Sequence, residues 1–475
     1  MVRPIGLALA VALPLVFFGV LFAWPVAAMI ACGFTDAGAL DLTGFREVFA
    51  RPRTWRIVVQ TLVQAGAATA IVIGAGLPAA HVLYRRRFPG RAALRAGFAI
   101  PFVLPTVVVG VAFRSLIGAS GPLGGLGIDG TMTAVIVALV FFNFGLFVRS
   151  VGTFWAGMDP RPGEAAAALG ASPARVWWTV TVPALTPAIA ASASLVFLFC
   201  ATAFGTVLIL GGIRAGTIET EIWLQTTQML NLRAASVLSI VQLAVVGGVL
   251  AVSAVARRRR ERSARLAIPP RGQLPRLTRA DIVPGIVTAI AAVAIAAPLG
   301  TLVARSLRTA TGWGLSNYAR LREEGGTSGL PTSMLEAAGR SAVIAAQATL
   351  ISLVIGLLIA VGLSRPTRRP AVRRAVGALD AATMLPLGVS AVTVGFGFLI
   401  ALDRPPVDLR GSALMVPLAQ AVVATPLVVR SVLPSLRGID PGQREAAALL
   451  GASPGQVFAT VDLPVAGRAL GVAAG

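Results

Sequence analysis

Residues 164–185 read "EAAAALGASPARVWWTVTVPAL", and residues 445–466 read "EAAALLGASPGQVFATVDLPVA". The two stretches stand 281 residues apart, Glu164 to Glu445. The same offset carries Arg149-Ser150-Val151 onto Arg430-Ser431-Val432 and Asp159-Pro160 onto Asp440-Pro441. Upstream, "IPFVLPTVVVGVAF" (100–113) matches "LPLGVSAVTVGFGF" (385–398) at an offset of 285, pairing Pro101 with Pro386 and Gly110 with Gly395. Earlier still, Ala65, Thr69, Gly76 and Ala80 pair with Ala345, Thr349, Gly356 and Ala360 at 280. Matches that keep their order while the offset drifts through loops mark a duplication with small insertions and deletions. The chain reads as two tandem repeats.

The repeated stretch also has a local reading. Asp159 and Asp440 are N-cap residues with Pro160 and Pro441 at the first helical position. A run of alanine follows, with high helix propensity and small volume. Gly170 and Gly451 end that helix as C′ glycines. Ser172-Pro173 and Ser453-Pro454 start a second helix, and Gln456 completes a capping box with Ser453. Pro183 and Pro464 mark the approach to the next apolar run. The expected product is a small-surfaced helix–turn–helix.

Around these stretches the 475-residue chain is mostly oil. It is 56% hydrophobic, 13% charged, and has a mean hydropathy of +0.82. A soluble domain carries about twice that share of charge, so the composition points to an integral membrane protein. The net charge of +22 does not imply nucleic acid, because the basic residues form short clusters between apolar runs. All 41 are arginine, since the chain has no lysine. A phosphate-binding P-loop needs its lysine to reach the β- and γ-phosphates, so the chain is not expected to hydrolyse ATP itself. Cys32 and Cys200 are far apart and predict no disulfide framework. His81, where an apolar run meets "YRRR", reads as interfacial rather than as a metal ligand. No catalytic residue, cofactor or metal site is expected.

A membrane helix needs about 20 mainly apolar residues. Ten stretches qualify: 5–30, 57–83, 94–116, 131–151, 187–211, 235–255, 282–303, 341–363, 376–402 and 414–432. The first exceeds a signal-peptide core and is followed by further spans, so it is read as uncleaved. With alternating spans, the arginines at 85–95, 257–279 and 364–374 share one side, which is then the cytoplasm. Both repeated stretches lie on that side too. The loop "REVFARPRTWR" (46–56) dissents, because it falls outside. Both copies have the same orientation, so a pseudo-two-fold axis along the membrane normal and a path between the halves are expected. Gly475 corresponds to Ser194 of the first copy, so the second repeat reads as lacking its last two helices.

Glu164-Ala165-Ala166 with Gly170 and Pro183, and Glu445-Ala446-Ala447 with Gly451 and Pro464, resemble the EAA loop of permease subunits of type I ABC importers, the binding-protein-dependent family. The resemblance runs from about 57 to 256 and from about 339 to the end. It implies an all-α polytopic membrane protein made of two parallel tandem repeats of that family's transmembrane domain. The implied domains are a first helix and external loop (1–56), a first permease domain (57–256) with its EAA loop at 159–187, and an Arg-rich cytoplasmic linker (257–281). A linking helix and external loop (282–338) and a truncated second permease domain (339–475) with its EAA loop at 440–466 complete the chain. The ten residues just named become the positions that couple to the ATPase. The resemblance further implies two cytoplasmic ATPase subunits and an extracytoplasmic substrate-binding protein as partners, in a bacterial inner membrane. The fusion, with "FCATAFGTVLILGG" (199–212) and "TIETEIWLQTTQML" (217–230), resembles the fused permeases for ferric iron and thiamine. Glu219 and Glu221 are candidates to meet a basic patch on the binding protein. The other reading makes theirs an interfacial helix that tucks Ile218, Ile222 and Trp223 onto the membrane. The rival class is an ion-coupled secondary transporter with parallel repeats, disfavoured because most spans have no ionisable residue.

Overall fold

The computed structural model of the protein describes residues 4–36, 39–212, 215–258, 274–309, 312–323, 332–364, 370–404, 407–409 and 411–474. It is an assembly of helices. The first, α1, runs through Pro4–Phe18, a π turn at Gly19–Ala23, and Trp24–Phe34. Then come α2 (Pro52–Arg85), α3 (Arg91–Val103), α4 (Thr106–Ile117), α5 (Met132–Ala156), α6 (Arg161–Ala168), α7 (Pro173–Ala201), α8 (Ile218–Thr227) and α9 (Leu232–Arg258). After the linker, residues 259–273 of which lie outside the described residues, follow α10 (Arg279–Leu307), α11 (Met334–Ser364), α12 (Pro370–Met384), α13 (Ala391–Ala401), α14 (Met415–Arg437) and α15 (Pro441–Leu449). The last, α16, passes from Pro454–Val457 through a π turn at Phe458–Asp462 into Leu463–Ala474.

Eight of the described helices are long and apolar enough to cross a membrane, or nine with the bent pair α3–α4. Three of the ten expected spans are not one continuous helix. The stretch 94–116 is broken by a 107° bend between α3 and α4. Pro105 has no N–H to continue the helix, and it forces Leu104 into extended backbone (ψ 139°). The stretch 376–402 is likewise cut, by a 3₁₀ turn at Leu385–Gly388 and by Ser390, which caps α13 by accepting the Thr393 N–H at 3.0 Å. The expected span 187–211 is displaced and cut: α7 begins at Pro173, passes through Pro187 and ends at Ala201, and after a break at 202–204 a separate short helix runs over Gly205–Leu210.

The helices form two compact units. One holds residues 43–317, and the other joins 1–42 to 318–475. The membrane helix that opens the chain thus completes the bundle of the second half, packing on α11 and α13. The helix that follows the linker, α10, packs on α2, α4 and α3 of the first half. Within each unit the dominant contact is between matching helices, α2 with α5 and α11 with α14. Glycine makes both approaches possible. A Cβ at Gly76 would stand 2.6 Å from Phe147, and one at Gly356 would stand 2.6 Å from Val428. Small residues of this kind let membrane helices pack backbone-close where no hydrophobic drive exists between them.

Candidate functional site

The repeated stretch takes the same shape twice. In the first copy the Asp159 carboxylate accepts the Arg161 N–H at 3.0 Å, and α6 begins at Arg161, one residue later than the proline pattern predicts. In the second the Asp440 carboxylate accepts the Gly442 N–H at 2.9 Å, and α15 begins at Pro441 as expected. Both helices end in a left-handed glycine, Gly170 at φ 84° and Gly451 at φ 88°. Around each, two backbone bonds close the helix: Gly170 N–H to Ala167 O and Ala171 N–H to Ala166 O, then Gly451 N–H to Ala448 O and Ala452 N–H to Ala447 O. This is the double-bonded helix stop that a residue with a side chain adopts only under strain. Ser172 accepts the Arg175 N–H, and Ser453 makes the full capping box with Gln456. The second helix of each pair then continues through a π turn, Trp177–Thr181 or Phe458–Asp462, in the first copy into the span that ends at Ala201 and in the second into the helix Leu463–Ala474. Pro183 and Pro464 sit just past those turns. A wider turn leaves room for a proline ring that the α-helix rejects, so these prolines adjust the helix without ending it.

Glu164, Ala165, Gly170 and Pro183 are exposed and Ala166 half-buried; Glu445, Ala446, Gly451 and Pro464 are exposed and Ala447 half-buried. No residue of α6 is buried. Each turn also shows large apolar side chains to solvent. Leu169, Leu449 and Leu450 are each 89% exposed, and Trp178 is 68% exposed. The sequence reading named the glutamate, alanine, glycine and proline positions but missed these side chains. A leucine beside a C′ glycine ordinarily packs back on its own helix, so pattern alone gives no sign of exposure. Projecting apolar residues on a rigid, alanine-faced turn mark a contact surface.

Behind the first segment lies a polar cluster that sequence reading did not assemble. Asp281, at the start of α10, is buried. Its Oδ1 faces His81 Nε2 and Arg86 Nε, each at 2.9 Å, and its Oδ2 accepts the Thr278 N–H and hydroxyl at 2.8 and 2.7 Å. His81 also packs on Trp155, with ring centroids 5.3 Å apart. The lone histidine is therefore interfacial only in its place along the helix; its role is to fasten α10 to the end of α2.

At the opposite ends of the spans the acidic helix α8 departs from its first reading. Glu219 is fully buried and Glu221 is 5% exposed, so neither offers its carboxylate to an external protein. Glu221 pairs with Arg53 at 2.8 Å and accepts from Gln225 Nε2 at 2.9 Å. Ile218 and Ile222 are buried with it. The pairing also gives the dissenting 46–56 loop part of its reason, because an arginine outside the positive side has a buried partner there.

Comparison with known proteins places the chain. Residues 72–261 match the family described as "Binding-protein-dependent transport system inner membrane component". The ModB molybdenum transport system permease of Mycobacterium tuberculosis is 32% identical over 197 residues, 39% of this chain and 74% of ModB. A probable sulfate transport permease, cysT of Chlorokybus atmophyticus, is 34% identical over 171 residues, 35% of this chain and 60% of cysT. The thiamine transport permease ThiP of Brucella abortus is 26% identical over 435 residues, 88% of this chain and 76% of ThiP.

Proposed function

Because the chain belongs to the binding-protein-dependent inner membrane components, the permeases of type I ABC importers, we propose that it is the multi-pass inner-membrane subunit through which two separate ATPases drive the uptake of a small solute. An extracytoplasmic binding protein delivers that solute. Glu164, Ala165, Ala166, Gly170 and Pro183, with Glu445, Ala446, Ala447, Gly451 and Pro464, hold the coupling segments in shape. The observation that carries this reading is the pair of exposed, glycine-stopped helix turns, each followed by a helix that continues unbroken through a π turn, in the first copy into a membrane span. Such a turn is a lever: movement imposed on α6 or α15 from the cytoplasm passes along a continuous helix into the membrane.

The solute we propose is thiamine, since the relative that aligns with 88% of the chain is named for it, whereas the sulfate and molybdenum permeases align with 35% and 39%. The test is reconstitution of the chain in vesicles with its ATPase and binding protein. Labelled thiamine accumulates with ATP, while Glu164→Ala and Gly170→Trp lose about tenfold of the uptake, within the usual range for coupling between sites, and still insert normally. Normal uptake by both variants would overturn the coupling role. Uptake of sulfate or molybdate but not thiamine would overturn the solute alone.

A further inference from the structure

Trp155 and Leu436 hold equivalent places, 281 residues apart, at the ends of α5 and α14. Each offers its carbonyl oxygen to a guanidinium, but the donors differ. In the first copy the donor is Arg85 Nη1, from the end of α2, at 3.4 Å. In the second it is Arg444 Nη2, from the coupling helix α15 itself, at 2.9 Å. Arg444 also directs Nε to Asp462 Oδ1 at 2.8 Å, where the aspartate side chain is fully buried and the arginine 16% exposed. Asp462 closes the π turn at the root of α16. One guanidinium thus ties the end of a span, the coupling helix and the root of the next helix.

At the matching places the first copy has Gly163 and Thr181, which cannot form that pair. Its joint is aromatic instead: Trp155 lies against Trp177, with centroids 5.5 Å apart, where the second copy has Leu436 and Phe458. A buried, hydrogen-bonded ion pair holds only in a narrow geometry and is costly to break. An aromatic contact is weaker and is satisfied by offset-stacked as well as edge-to-face arrangements over a range of centroid distances.

We propose that Arg444 is a positioning residue that locks the second coupling helix to its membrane helices through Asp462. The first coupling helix rides on a compliant aromatic joint, so the two halves receive ATPase movement through levers of unequal stiffness. This rests on the coupling role proposed above.

The test combines pulsed EPR distances with ATPase assays. Spin labels go on Gln443→Cys and Leu427→Cys in a Cys32→Ser, Cys200→Ser background. The full chain should give a narrow distance distribution. Arg444→Gly with Asp462→Thr, which copies the first repeat and removes both charges together, should broaden it. In the reconstituted complex, Arg444→Asp should lower ATP hydrolysis by the bound ATPase about tenfold, within the span typical of coupled sites. Adding Asp462→Arg should recover most of it. An unchanged distribution in the Gly/Thr variant, or a reversed pair no better than Arg444→Asp alone, overturns the proposal. Should the single-charge variant fail to insert, the neutral pair decides by EPR alone. If the wild-type chain neither binds nor stimulates an ATPase, the coupling role fails, while the distance measurement still decides the lock.

Discussion

Gly145, in α5, lies against the backbone of α3, where a Cβ would fall 1.6 Å from Phe98 O. Gly74, in α2, has nothing within 4 Å of its would-be Cβ. Both are glycines inside apolar helices, so their substitutions isolate packing from backbone propensity. Gly145→Ala must push two helices apart, at about 3 kcal/mol, the upper end for forced overpacking. Gly74→Ala meets no neighbour and gains helix propensity worth up to ~1 kcal/mol. Thermal unfolding in one detergent should therefore show the first variant clearly less stable and the second equal to or above wild type. Nothing in "FFNFGLF" distinguishes Gly145 from Gly74 as letters, because the difference is made by a helix some 45 residues away in the chain. Gly170 and Gly451 are the opposite case. Their left-handed backbone follows from the alanine run before them and the Ser-Pro after them, and it was legible from local pattern. The residues that carry a turn could be read locally; those that carry a contact between helices could not.

The same division holds among elements. Apolar length marked the spans well, since hydrocarbon admits little else that is polar on the backbone. It misjudged the stretches 94–116, 187–211 and 376–402, because hydropathy does not register the lost N–H and crowding at Pro105, the break at 202–204, or the turn formed by Leu385–Gly388. The bond between α2 and α10 was also out of sight, as its partners stand 200 residues apart. That bond sets a prediction. Asp281 is held by His81, Arg86 and Thr278, and Asp281→Asn leaves a half-buried guanidinium without its counter-charge. Breaking a buried pair costs about 3 kcal/mol, so the amides around 278–282 should exchange roughly 100-fold faster, at 1.4 kcal/mol per decade. Hydrogen-exchange mass spectrometry should find this change at the start of α10. His81→Gln, which keeps a side-chain donor, should change exchange far less. Equal protection in wild type and Asp281→Asn would mean that packing alone holds α10 in place.

For the whole molecule the deciding quantity is where buried acid lies. Among the described residues the buried carboxylates are Glu219, Glu221, Asp281 and Asp462. Asp281 and Asp462 stand where spans meet the arginine-rich side, and Glu219 and Glu221 stand in α8, outside the long spans. Glu221, Asp281 and Asp462 each face an arginine. A carrier that runs on protons needs an ionisable group it can load and unload within the membrane, and carboxylates pinned by guanidinium groups at the ends of spans serve architecture instead. Each unit also takes in a helix from the other half of the sequence. On the function proposed above, the energy for transport enters through the exposed turns instead. Vesicles holding the chain, its ATPase and its binding protein should accumulate thiamine on ATP with proton and sodium gradients collapsed by ionophores. Vesicles holding the chain alone, under an imposed proton or sodium gradient, should accumulate none. Sodium is the sharper arm of that experiment, because backbone carbonyls can hold a sodium ion without any carboxylate. Gradient-driven uptake by the chain alone would therefore defeat the ATP-driven reading even though, among the described residues, no buried acid lies in mid-span.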